Sequence, residues 1–214
     1  MARPLPFTLL ATSLMSVVMV AASMPQLHAA SRNAFPGRRI GGGTRGECAA
    51  RPLVHMVPAS SVFAPGDSSL IALLEGPSPD PQPLEVTLRS ASADGSVDPA
   101  EPPVLQRELP AAVNRLVLIT IPAASRPLLW ESSYRCGAES GDDEFGFITA
   151  SAPPALSLLV PEGAVEDQSI RQKLTALKSA CGGTTALSRL QAALNLGDGV
   201  IDASWPQTIT VQCF

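Results

Sequence analysis

From residue 53 onward the chain is written in short apolar runs separated by turn-forming residues. Leu53–Val57, Ser69–Glu75, Leu84–Arg89, Val104–Glu108, Arg115–Ile121, Leu128–Tyr134, Phe145–Ala150 and Ala155–Val160 are five to seven residues each. That is strand length, and too short for stable helices. Between them fall Pro65–Gly66, Gly76–Pro83, Asp94–Gly95, Asp98–Pro103, Pro122 and Pro153–Pro154. Many short strands at this spacing predict a mainly β fold, an immunoglobulin-like or related sandwich, over alternating strand–helix units. The stretch Ala91–Pro103 reads as a mobile loop.

The period changes in the last quarter. Ile170, Leu174, Leu177 and Cys181 recur at helical spacing, which predicts a helix from about Val165, stopped by Gly182–Gly183. A second helix is expected from a Thr184 or Thr185 cap through Leu187, Leu190 and Leu194 to Gly197. Alternation returns in Gln207–Phe214, with Ile209, Val211 and Cys213 on one face, as a last strand. The organisation expected is therefore a sandwich over residues 48–161, followed over 162–214 by a small helical hairpin and a final strand.

The N-terminus has a different logic. Arg3 precedes the uncharged apolar run 7–22, and MPQLHAA follows it. This is the order of a secretory signal peptide, with cleavage expected after Ala29 and, as second choice, after Ala22. An uncleaved anchor is the rival reading, since the run is close to the roughly 17–25 residues that span a bilayer. Residues 30–47 (ASRNAFPGRRIGGGTRGE) carry no period and read as a Gly/Arg-rich arm. Export implies a periplasmic or extracellular site of action.

Composition narrows the partners. The chain has a formal charge of −4, and losing residues 1–29 removes Arg3 and takes it to −5. A mildly acidic chain gives no reason to expect nucleic acid. About 185 mature residues suffice for one domain with a real core. Four cysteines, Cys48, Cys136, Cys181 and Cys213, form an even set in an oxidising compartment and predict two disulfides, with three pairings open. No CxxC occurs and His55 is the only mature histidine, so the usual zinc ligands are missing and no cofactor is expected.

Few residues suggest chemistry. In Pro36–Cys48 three consecutive glycines stand among Arg38, Arg39 and Arg45, a set able to surround an anion with amides and guanidinium groups. No Lys-Ser/Thr pair follows as in a nucleotide loop, and an arm wrapping a sheet edge explains the glycines more simply. In LLWESSYRC, Trp130, Ser132, Tyr134 and Cys136 share one strand face, a core arrangement. The acidic stretch Glu139–Glu144 lacks calcium-loop periodicity and reads as a solvated turn. His55 alternates with Leu53 and Val57, as a core histidine would, and no GxSxG elbow is present. Paired carboxylates are recognised by their spatial separation, so a carboxylate-dependent hydrolase stays as an alternative.

GRRIGGGTRGEC, the Val57–Pro58 pair, LLWESSYRC, the acidic loop and FGFITAS together resemble the family called domain of unknown function 928, exported proteins typical of cyanobacteria. The resemblance covers about Pro36 to Ala150. It departs in SSLIALLEG, which has no aromatic, and in the C-terminal helices, which lack a Trp-rich pattern. It implies an exported β domain and supplies no catalytic residues. Because Cys48 and Cys136 lie in the segments that carry it, whereas Cys181 and Cys213 lie beyond, the pairing expected is Cys48–Cys136 and Cys181–Cys213.

The function expected is a non-catalytic extracytoplasmic module, with an envelope protein, an anionic polymer or a membrane surface as its partner. Intact-mass measurement of protein recovered from envelope or medium should find a chain beginning near Ala30. Full-length protein embedded in membrane would refute the processing.

Overall fold

The computed structural model describes residues 35–42, 52–135, 153–194, 196 and 200–214. Residues 1–29, expected as a signal peptide, together with Arg45, Cys48, Cys136, the acidic stretch 139–144 and the strand expected at 145–150, lie outside the described residues. Two sheets face each other. The first contains β1 (Ile40–Gly41), β2 (Leu53–His55), β4 (Leu70–Glu75), β7 (Arg115–Thr120), β11 (Thr208–Cys213) and β10 (Thr184–Ala186), in that spatial order. The second contains β3 (Val62–Phe63), β9 (Ala155–Leu159), β8 (Leu128–Tyr134), β5 (Leu84–Ser90) and β6 (Leu105–Leu109). Pairing is antiparallel except for β7 with β11 and β3 with β9.

The two sheets have different burial patterns. In β5 and β8 every second residue is buried, so the second sheet turns one face to the core and one to solvent. Its outer face carries Glu85, Arg135 and Glu108, joined by ion pairs of 3.0 and 3.4 Å. In β4 all six residues are buried, and in β7 the first five. Their runs LIALLE and RLVLIT are continuous because the first sheet is covered twice. The row His55–Leu73–Val117 faces the second sheet, as the contact of His55 with Trp130 shows. The neighbouring row Val54–Leu74–Leu116–Val211 points the other way, and α1 (Val165–Lys178) packs against β4 on that side.

That helical layer is small. Ile170 and Leu174 of α1 are buried, as are Leu187 and Leu190 of α2 (Leu187–Leu194). The start of α1 has no side-chain cap at Ala164. Instead the Asp167 carboxylate accepts the Ala164 N–H at 2.7 Å, satisfying one of the free donors of the first turn. Between the helices, Thr184–Ala186 do not cap α2. They pair with Thr208–Thr210 as strand β10, because the last strand offers an unpaired edge there. The helices are thus separated by a strand of the first sheet, and β11 lies beside β7 within it.

Residues 38–42 explain their own glycines. Ile40 and Gly41 pair with Val54 and Leu53. On their other side, Leu156 N–H donates to Arg38 O and Gly42 N–H to Pro153 O, both at 2.8 Å. The segment therefore runs between β2 of one sheet and β9 of the other, stitching them along one edge. A Cβ on Gly41 would lie 2.4 Å from the backbone nitrogen of Ala155, closer than any side chain allows. On the opposite side, Arg107 of β6 sits over the Phe214 ring at 5.9 Å. The stretch expected as a mobile loop contains a turn, with Ser92 N–H bonded to Ser96 O and Gly95 at φ 86°.

Cys181 and Cys213 form a disulfide, with Cα atoms 5.7 Å apart, as expected. It ties the turn after α1 to the end of β11 and closes a loop of 32 residues. Constraining the unfolded chain in this way is worth about 3–4 kcal/mol. The double variant Cys181→Ala/Cys213→Ala should lose that much in urea unfolding. An unchanged midpoint would show that the bond adds nothing to β11 docking.

Candidate functional site

Two polar clusters lie inside the sandwich, and both are built by cross-strand register. In the first, His55 of β2 stacks on Trp130 of β8, with ring centroids 3.5 Å apart and planes 8° from parallel. His55 Nδ1 lies 2.9 Å from Ser157 Oγ on β9, and Trp130 Nε1–H donates to Ser132 Oγ at 3.0 Å. All four side chains are fully buried. His55 Nε2 has no hydrogen-bond partner among the described residues. Burial disfavours the charged ring and holds its pKa well below that of a free imidazole.

A serine beside a histidine suggests a nucleophile and its base, but no substrate reaches this pair. Both residues show 0% exposure, and no carboxylate among the described residues is hydrogen-bonded to the ring. The pair joins β2 of one sheet to β9 of the other. Trp130 and Tyr134 point into the core, as period two requires.

The second cluster was not singled out from the sequence. Glu75 and Arg115 are cross-strand partners at the ends of β4 and β7. Arg115 Nε donates to Glu75 Oε1 at 2.6 Å, Nη1 to Gln212 Oε1 at 2.8 Å and Nη2 to Pro110 O at 2.8 Å. One arginine thereby ties β4, β7, β11 and the loop before β7. Burial pushes the Glu75 carboxyl up to about 7, against the hydrogen bond and charge of Arg115. Its Oε2 has no partner among the described residues. The available signal was positional: a charge at the end of LIALLE and another at the start of RLVLIT.

Arg38 and Arg39 have different surroundings. Arg38 is exposed. Arg39 is half-buried, which lowers its pKa, and its Nη1 donates to Val57 O at 2.9 Å while its backbone N–H donates to Ser61 Oγ at 3.0 Å. Arg45 lies outside the described residues. Among the described residues no group of three or more His, Cys, Asp or Glu could hold a metal, and no helix is long and apolar enough to cross a membrane.

Three surface grooves are lined by described residues. One, of about 370 Å³, lies among Pro65, Asp67, Ile121 and Pro161. A second, of about 520 Å³, holds Gln191, Asp202, Trp205 and Gln207. The third, of about 460 Å³, lies between α1, α2 and β10 and holds Lys173 and Arg189. Neither buried cluster lines any of them.

The two clusters titrate with opposite sign. Unfolded His55 takes a proton below about 6.5 and the folded ring does not, so its contribution to stability is lost as pH falls below that value. Folded Glu75 keeps its proton up to about 7, whereas the unfolded carboxyl releases it near 4.5, so its contribution is lost as pH rises through that window. Each has a limiting slope of about 1.4 kcal/mol per pH unit. Glu75→Gln should therefore become less stable than wild type on going from pH 7 to 5, and His55→Phe more stable. Urea midpoints at the two pH values check this, and parallel behaviour of both variants would refute the assignment.

Compared with protein-family models, curated proteins and solved structures, the chain finds no match.

Proposed function

We propose that this protein is an exported, non-catalytic module that acts by binding, in the periplasm or at the envelope surface. The observation that carries this reading is the commitment of the buried polar groups. His55, Glu75 and Arg115 each join strands, and none lines any of the three grooves among the described residues. General acid–base work needs a titrating group within reach of substrate. Hydrolysis by paired carboxylates needs two acids facing one site. The first groove holds only Asp67, the second only Asp202, and the third no acid.

The disulfide supports an oxidising compartment, and the strands stitched by residues 38–42 support a rigid display scaffold. Kinship with domain of unknown function 928 belongs to the same proposal and rests on GRRIGGGTRGEC and LLWESSYRC. Arg39 donates to Val57 O, which favours a structural arm over an anion clamp built from Arg38, Arg39 and Arg45.

The mature protein should be retained saturably on an envelope fraction and should hydrolyse no member of a panel of chromogenic esters and glycosides. Turnover abolished by a single Asp or Glu substitution, or no retention at any salt concentration, would overturn the reading.

A further inference from the structure

The groove between the helices and β10 differs from the other two in charge and in backbone. Ala176, Leu177, Ala180 and Leu190 give it an apolar floor, and Lys173 and Arg189 are its charged side chains. On an acidic chain this is a local basic site. Both lysines of the chain, Lys173 and Lys178, lie on α1. Its third wall is β10, the last strand of the first sheet, with no strand beyond it among the described residues.

The hydrogen bonds around β10 show which of its backbone groups are turned outward. Val211 N–H donates to Gly183 O, and Leu187 N–H donates to Gln207 O. The Gly183 carbonyl, the Leu187 N–H and, between them, the backbone groups of Thr185 are therefore directed to β11. By the alternation of a strand, Thr184 and Ala186 direct theirs away from it, toward the open edge. Thr184 is exposed and Ala186 half-buried. An unpaired edge beside an apolar groove is the arrangement that accepts an added strand, where main-chain bonds give affinity and alternate side chains give specificity.

We propose that this groove receives an extended peptide segment of a partner protein, added to the outer edge of β10, with apolar side chains on Leu177 and Leu190 and an acidic side chain or terminal carboxylate at Arg189. The occupant is acidic because Arg189, an exposed charged side chain of the groove, is basic and no carboxylate among the described residues lines it. It is extended because the strand edge offers paired donors and acceptors that a helix has no free groups to meet. The disulfide at Cys181–Cys213 holds the turn before β10 against β11, so the edge is preformed. This inference rests on the reading of the protein as a binding module and names the chemistry of its partner.

The test is a display library of linear decapeptides panned on the full mature protein. Recovered sequences should alternate apolar and polar residues and carry Asp or Glu. A synthetic copy of the best of them should bind at least tenfold more weakly to Arg189→Glu, an exposed substitution that leaves the core untouched. Backbone amide exchange at Thr184 and Ala186 should slow when that peptide binds. Recovered peptides that are basic, that bind Arg189→Glu equally, or that protect amides elsewhere would overturn the groove, as would a library yielding no binder. Envelope retention that persists in Arg189→Glu would then leave the broader binding reading standing without it.

Discussion

Covering the first sheet on both faces is the constraint from which most of this structure follows. A strand buried on two sides has no solvent face on which to place polar residues, so β4 and β7 are apolar along nearly their whole length. A charge within such a strand must find its partner inside. Arg115 does so with Glu75, Gln212 and the carbonyl of Pro110. Removing one member of a buried pair strands the other, at a cost of about 3–5 kcal/mol. The cluster therefore fixes the register of three strands at once, because any slip would carry Arg115 away from Glu75.

The same constraint explains what was readable beforehand. A sheet with one wet face writes itself as alternation, and β5 and β8 were bounded to within a residue from that alone. Continuous runs were recognised as strands from their length and flanking turns. Strands of two or three residues left no such trace. Ile40–Gly41, Val62–Phe63 and Thr184–Ala186 are too short to carry a period, and each exists because a neighbouring edge was available. Thr184 and Thr185 matched the chemistry of a helix cap, but the edge of β11 outweighed it. Tertiary context overrode a local preference worth at most a kcal/mol or two.

The site was less legible, for a physical reason. His55 was read correctly as a core side chain from its alternation with Leu53 and Val57, but its stack on Trp130 is a contact between sheets. Sheet facing is set by the whole topology and leaves no mark in local spacing. Arg38 and Arg39 looked equivalent as neighbours in sequence. Successive residues of an extended segment point to opposite sides, and here one side is solvent while the other is the Val57 carbonyl. The groove between α1, α2 and β10 draws residues from three elements, and its edge depends on a strand that had been assigned as a helix cap.

The interior and the surface divide the work of this protein. Polar groups inside the sandwich cost desolvation energy, which is repaid by the strands they hold in place. That leaves His55 and Glu75 with titrations that oppose each other between about pH 4.5 and 7. A domain with only one of them would gain or lose stability steadily across that range; with both, the two slopes partly cancel. Such cancellation would suit the proposed export to an environment whose pH the cell does not control. The rigid interior holds the outer surface in one shape, and in the proposed reading recognition falls to the places where the fold leaves backbone and apolar area unpaired. In the proposed reading the outer edge of β10 is such a place, and Arg189 sets the sign of the charge it selects.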